Sequence, residues 1–146
     1  MKTLLHMFGW TVAVLVLIQF IKIDIPAPPP STPADEIKAP PHIMSMLKRS
    51  CYDCHSNTTK WSWYSNIAPI SFEVRGHVKD GRNWLNFNIW NKYDHKKQQQ
   101  RLKEIVKTID YQMPIPDYLF IHKDARLSKQ ERQEIKKWAQ SQIDEE

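Results

Sequence analysis

An all-α fold follows from three features of this 146-residue sequence. Apolar residues recur at helical spacing in its best-patterned segment, helix-start signals precede further segments, and no run alternates apolar with polar residues as a half-buried strand does. In chain order, Leu4 to Ile21 is apolar except at His6, Gly9, Thr11 and Gln19. Eighteen residues of this kind lie at the lower limit for crossing a hydrocarbon core as a helix. No small-x-small cleavage box follows, so residues 1–25 read as an uncleaved membrane anchor rather than a removed export signal. Lys2, Lys22 and Asp24 flank it too evenly to orient it. Residues 26–41 hold seven of the ten prolines and read as an extended polyproline tether with no core of its own. At about 3.1 Å per residue, such a tether reaches up to roughly 50 Å.

Residues 42–146 suffice for one small domain. After Pro40-Pro41, the spacing of Ile43, Met46, Leu47 and Cys51 predicts a short helix that runs directly into residues 51–55. Trp61-Ser62-Trp63-Tyr64, followed by Pro69, reads as an aromatic loop suited either to walling a flat apolar group or to ordinary core packing. Pro69 opens a helix through Phe72, Val74 and His77 to Lys79, with Asp80-Gly81 as its stop and Asn83 to Asn91 irregular. Leu102, Ile105, Val106 and Ile109 form the clearest amphipathic stripe. Tyr111-Gln112-Met113-Pro114-Ile115-Pro116 must break that helix, which places Met113 on a stiff loop. Ser128-Lys129-Gln130-Glu131 is a capping box that opens a last helix carrying Ile135 and Trp138.

Both cysteines of the chain fall in Cys51-Tyr52-Asp53-Cys54-His55, a C-x-x-C-H arrangement that is the attachment signature of a c-type haem. On a helical turn, positions i, i+3 and i+4 share one face, so two thiols and an imidazole can address one macrocycle from the same side. Cys51 and Cys54 would form thioethers with the vinyl groups, and His55 would bind the iron. A thioredoxin-type redox pair needs a βαβ setting, which the surrounding pattern lacks. A zinc finger needs nearby further ligands, yet the next histidine is His77. Two structural thiols or a local disulfide would leave His55 unexplained. The fold expected is therefore a small cytochrome c-like helical domain around one covalent haem, behind an N-terminal transmembrane helix.

For the second axial ligand, Met113 is the candidate, 62 residues beyond Cys51 and outside any helical stripe. Met44 and Met46 sit on a core helix, where methionine ordinarily fills gaps. His77 is the rival, His122 and His42 follow, and an open sixth site is a further alternative. Donors for the haem propionates could come from Arg75, Arg82, Trp84 or Tyr64. Beyond Lys2, Lys22 and Asp24 the chain carries a net charge of +4, well interspersed, which gives no nucleic-acid stripe and at most a mild preference for an acidic redox partner or anionic lipid.

The segments Cys51 to Asn57, Trp63 to Pro69, His77-Val78, Gly81-Arg82, Leu85-Asn86-Phe87, Met113-Pro114 and His122 to Ser128, with Trp138, resemble the small bacterial haem-binding domain family of c-type cytochromes over about residues 40 to 140. The tether prolines and the acidic tail Asp144 to Glu146 look like local variation. The resemblance implies haem at Cys51, Cys54 and His55, with Met113 at the family's Met-Pro element. A c-type haem is matured outside the cytoplasm, so the expectation is a single-pass protein of the bacterial inner membrane with its haem domain in the periplasm. Its function would be single-electron transfer between redox partner proteins rather than catalysis on its own substrate. The alternative is a haem peroxidase or a gas or redox sensor with an exchangeable sixth iron site.

Overall fold

Proline lacks an N–H and has a preset φ, and this decides where several helices of the chain begin. In the computed structural model, which describes residues 1–143, the helices are α1 (Lys2–Leu17), α2 (Pro41–Ser50), α3 (Tyr52–His55), α4 (Ile70–Trp84), α5 (His95–Thr108), α6 (Pro116–Ile121) and α7 (Lys129–Ser141). Pro41 and Pro116 are first residues of their helices, and Pro69 is the N-cap of α4. Side-chain caps open the other two long helices of the domain. Asp94 accepts the backbone N–H of Lys97 at 2.7 Å, and Ser128 and Glu131 bond each other's backbone N–H in the predicted box. No strand occurs among the described residues, so the fold is all-α. The acidic end Asp144–Glu146 lies outside them.

With the 3-10 turn that follows it, α1 makes a helix of 19 residues, Lys2–Phe20, of mean hydropathy 1.8. It is about 28 Å long at 1.5 Å per residue, long and apolar enough to cross a membrane. None of its apolar window is buried, so it is not a core helix of the domain.

The core lies among α2, α5 and α7. Ile43, Met46 and Leu47 of α2, Leu102 of α5, and Ile135, Trp138 and Ala139 of α7 are buried together with Leu85, Phe87 and Leu127. Full burial of a Leu, Ile or Phe side chain contributes roughly 1.5–3 kcal/mol each. Tyr52 stacks on Phe87 at 5.2 Å, which ties α3 to the segment after α4. Arg49 of α2 pairs with Glu131 of α7 at 2.6 Å.

Two expectations need correction. The stop at Asp80-Gly81 does not operate, and α4 continues to Trp84. Gly81 is used for its missing side chain: a Cβ there would stand 2.6 Å from the carbonyl oxygen of Cys54, so the glycine permits α4 to press against α3. The stretch from Asn83 to Asn91 is correspondingly more regular than predicted. Asn83 and Trp84 complete α4, and Phe87–Lys92 is a 3-10 turn whose cap, Asn86, accepts from the Asn88 N–H at 3.0 Å.

The proline-rich stretch also behaves differently from a free spacer. Polyproline carbonyls have no internal partners and stay available to donors. Here Asn57 donates to Pro29 at 2.8 Å, Lys92 to Pro30 at 2.6 Å and Asn91 to Ala34 at 2.7 Å. Ile37 is 3% exposed within the core, and its N–H bonds Phe87 at 2.9 Å. The stretch therefore lies along the domain.

Candidate functional site

The backbone of α2 passes into α3 through the Cys51 N–H, which bonds Leu47 at 2.8 Å, and one turn later the His55 N–H bonds Cys51 at 2.9 Å. That single turn brings Cys51, Cys54 and His55 to one wall of a cleft of about 360 Å³, which Gly81, Trp84 and Met113 also line. A neighbouring cavity of about 380 Å³ shares Cys51, His55, Trp84 and Met113 and is closed by Phe87, Ile105, Ile109 and Ile135. A third, of about 390 Å³, shares Cys54, His77, Ile115 and Tyr118 with the first. The four residues singled out by sequence thus meet in one apolar cleft.

Two backbone carbonyls hold the His55 ring. Its Nδ1 lies 3.0 Å from the carbonyl oxygens of both Gly81 and Leu85. Both partners are acceptors, so Nδ1 carries the proton and Nε2 keeps its lone pair for a ligand in the cleft. Burial lowers the pKa of the imidazole, against the opposing pull of the Leu85 and Gly81 carbonyls, and favours the neutral form that binds iron.

Burial pushes the Cys51 thiol up to about 12 and the Cys54 thiol up to about 11, with each raised further by a neighbouring acid, Cys54 for the first and Asp53 for the second. Redox-active C-x-x-C pairs need the opposite shift. Among the described residues no group of three or more His, Cys, Asp or Glu side chains is placed to hold a metal ion.

Met113 is half-buried, and Arg132 of α7 donates to its carbonyl at 2.6 Å and to that of Ile109, which anchors the loop. His77 also lines the cleft, with Nε2 3.8 Å from Glu73. His122 is engaged elsewhere: Tyr64 bonds its Nε2 at 2.5 Å, and its ring stacks on Tyr118 at 4.3 Å. His42 is exposed on α2.

Of the residues expected near the propionates, Trp84 lines the cleft, whereas Tyr64 is bound to His122. Arg82 spends its guanidinium on Ser56 and Thr59, both at 2.8 Å, and Arg75 on Ser65, Asn66 and Ile23. Sequence reasoning missed Arg101. It is 9% exposed, lines the second cavity, packs 4.2 Å over the Trp84 ring and pairs with Glu104 at 2.6 Å. Its Nε is buried without a partner. The available signal was a cation one turn before Ile105, on the apolar stripe of α5.

An apolar cleft, a neutral imidazole with a free nitrogen, two protonated thiols on the same wall and an orphaned arginine N–H together fit a haem, with its vinyl edge, iron and anionic propionates. A family model described as a haem-binding domain matches residues 13–141. No curated protein and no solved structure matches the chain. With a match that takes in every residue of the cleft, the chain belongs to the haem-binding domain family and is a haem protein.

Proposed function

We propose that this chain is a membrane-anchored monohaem c-type cytochrome that passes single electrons on the periplasmic side of the bacterial inner membrane. The observation that carries the reading is the double backbone anchoring of His55 Nδ1 beside Cys51 and Cys54, in a cleft that also contains Met113. Cys51 and Cys54 would hold a haem covalently, each thiol S–H adding across one vinyl double bond to give a thioether. His55 would hold the iron through Nε2, while the Gly81 and Leu85 carbonyls fix the orientation and basicity of its ring. Met113 would supply its thioether to the iron from a loop that Arg132 pins. Arg101, packed over Trp84, would donate its unpartnered Nε–H to a propionate. A haem held there would supply one-electron chemistry. The apolar walls would keep water away from a haem held there, and redox partner proteins would deliver and collect the electrons.

Two measurements on protein matured with haem test this. Denatured chain should retain its pigment in acidified acetone and exceed the mass of the bare polypeptide by one haem; loss of all pigment refutes covalent attachment. The oxidised protein should show a far-red sulfur-to-iron charge-transfer band that Met113→Ala abolishes while the haem stays attached. His77, in the same cleft, favours a second reading as a haem peroxidase or gas sensor. That reading requires a high-spin ferric spectrum and fast carbon monoxide binding in the unmodified protein.

A further inference from the structure

We propose that the haem domain lies directly on the bilayer that α1 crosses, through a surface made by Trp61, Trp63, Ile67, Ile70, Phe120 and Ile121. The proposal rests on the reading of α1 as an anchor and adds where the domain sits relative to it.

Two ties join the end of the apolar helix to this surface. Gln19, one residue before the end of the span at Phe20, accepts the Ala68 N–H and donates to the Ala68 carbonyl, both at 3.0 Å. Arg75 donates to the Ile23 carbonyl at 3.4 Å and to Ser65 and Asn66 at 3.2 and 2.8 Å, with its guanidinium 5.4 Å from the Trp61 ring. A helix of about 28 Å nearly matches a hydrocarbon core of about 30 Å, so Gln19 stands at the boundary of that core. Ala68, held to Gln19 by two hydrogen bonds, stands there as well.

The chemistry around Ala68 suits that boundary. From Trp61 to Phe72 the chain carries no charged residue. Trp63 is 78% exposed and Phe120 81%, and Trp61, Ile67, Ile70 and Ile121 are all exposed. Single exposed apolar residues are ordinary, but these come from segments about fifty positions apart, and Trp61, Ile70, Phe120 and Ile121 wall one cavity. Tryptophan with an apolar body and one polar N–H is enriched where headgroups meet acyl chains. Continuity with the anchor selects lipid as the occupant: every copy of the chain carries this face at the end of its own span.

The test uses full-length holoprotein in phosphatidylcholine nanodiscs, spin-labelled at one introduced cysteine in each of Val12→Cys, Ile67→Cys, Phe120→Cys and Gln140→Cys. Accessibility to oxygen and to a water-soluble nickel chelate is then read for each label. The unsubstituted holoprotein, with Cys51 and Cys54 consumed as thioethers, should take no label. The label at 12 reports the anchor; those at 67 and 120 report the proposal; that at 140, on the exposed side of α7, is the aqueous reference. The expected result is hydrocarbon depth at 12, oxygen-favoured and nickel-poor labels at 67 and 120, and full nickel access at 140. Hydrocarbon depth at 12 with 67 and 120 as nickel-accessible as 140 overturns the docking alone. Full nickel access at 12 overturns the anchor reading instead.

Discussion

Replacing Gly81 by alanine tests how closely α4 approaches the turn that carries Cys51, Cys54 and His55, and Gly76 supplies the control on the same helix. In an unobstructed helix interior, Gly→Ala stabilises by about 1 kcal/mol. At Gly76 nothing lies within 4 Å of the added Cβ, so Gly76→Ala should show that gain. At Gly81 the Cβ would stand 2.6 Å from the Cys54 carbonyl oxygen and 3.1 Å from its carbon, and both are backbone that no side-chain rotation relieves. Overpacking of this kind costs about 1–3 kcal/mol. Propensity cancels between the two variants, so Gly81→Ala should be less stable than Gly76→Ala by about 1–3 kcal/mol, or about 4–15 °C in melting temperature for a domain of this size. Because the Gly81 carbonyl also holds His55 Nδ1, the shifted helix should disturb the haem absorption spectrum as well. Far-UV circular dichroism melts of the holoprotein in detergent, with the visible spectrum, measure both effects. A Gly81→Ala protein that melts with or above Gly76→Ala and keeps its spectrum would refute the close approach.

Arg101→Gln removes a buried cation beside the cleft and leaves Glu104 uncompensated, so it should lower the midpoint potential, since reduction adds a negative charge that the arginine favours. An unchanged potential in a redox titration would contradict its assignment to a propionate. The Arg49 guanidinium and then the Ser128 backbone N–H hold the Glu131 carboxyl below its usual value of 4.5. A lowered carboxylate contributes stability that is present above the unfolded-state value and lost as pH falls through the folded-state one. Melting temperature should therefore decline below about pH 4.5, and Glu131→Gln should flatten that decline in a pH series of melts.

Local chemistry carries its own address along a chain, and the sequence by itself determined whatever depends on it. The α5 stripe, the Ser128 and Glu131 capping box, the breaks at Pro114 and Pro116 and the apolar helix at the N-terminus all rest on contacts within a few residues. Spacing alone likewise placed Cys51, Cys54 and His55 on one turn, and Met113 joins them in one cleft. Tertiary structure decided what depends on partners distant in sequence. The acceptors of His55 lie 26 and 30 residues away, and the glycine that reads locally as a helix stop serves instead to let Cys54 approach. Arg101 gains its meaning only from the cavity around it, and the prolines become docked rather than free because Asn57, Asn91 and Lys92 supply the donors that a polyproline strand lacks. A backbone carbonyl or an absent Cβ leaves no mark in the one-dimensional pattern, so its use appears only once the chain has folded against it.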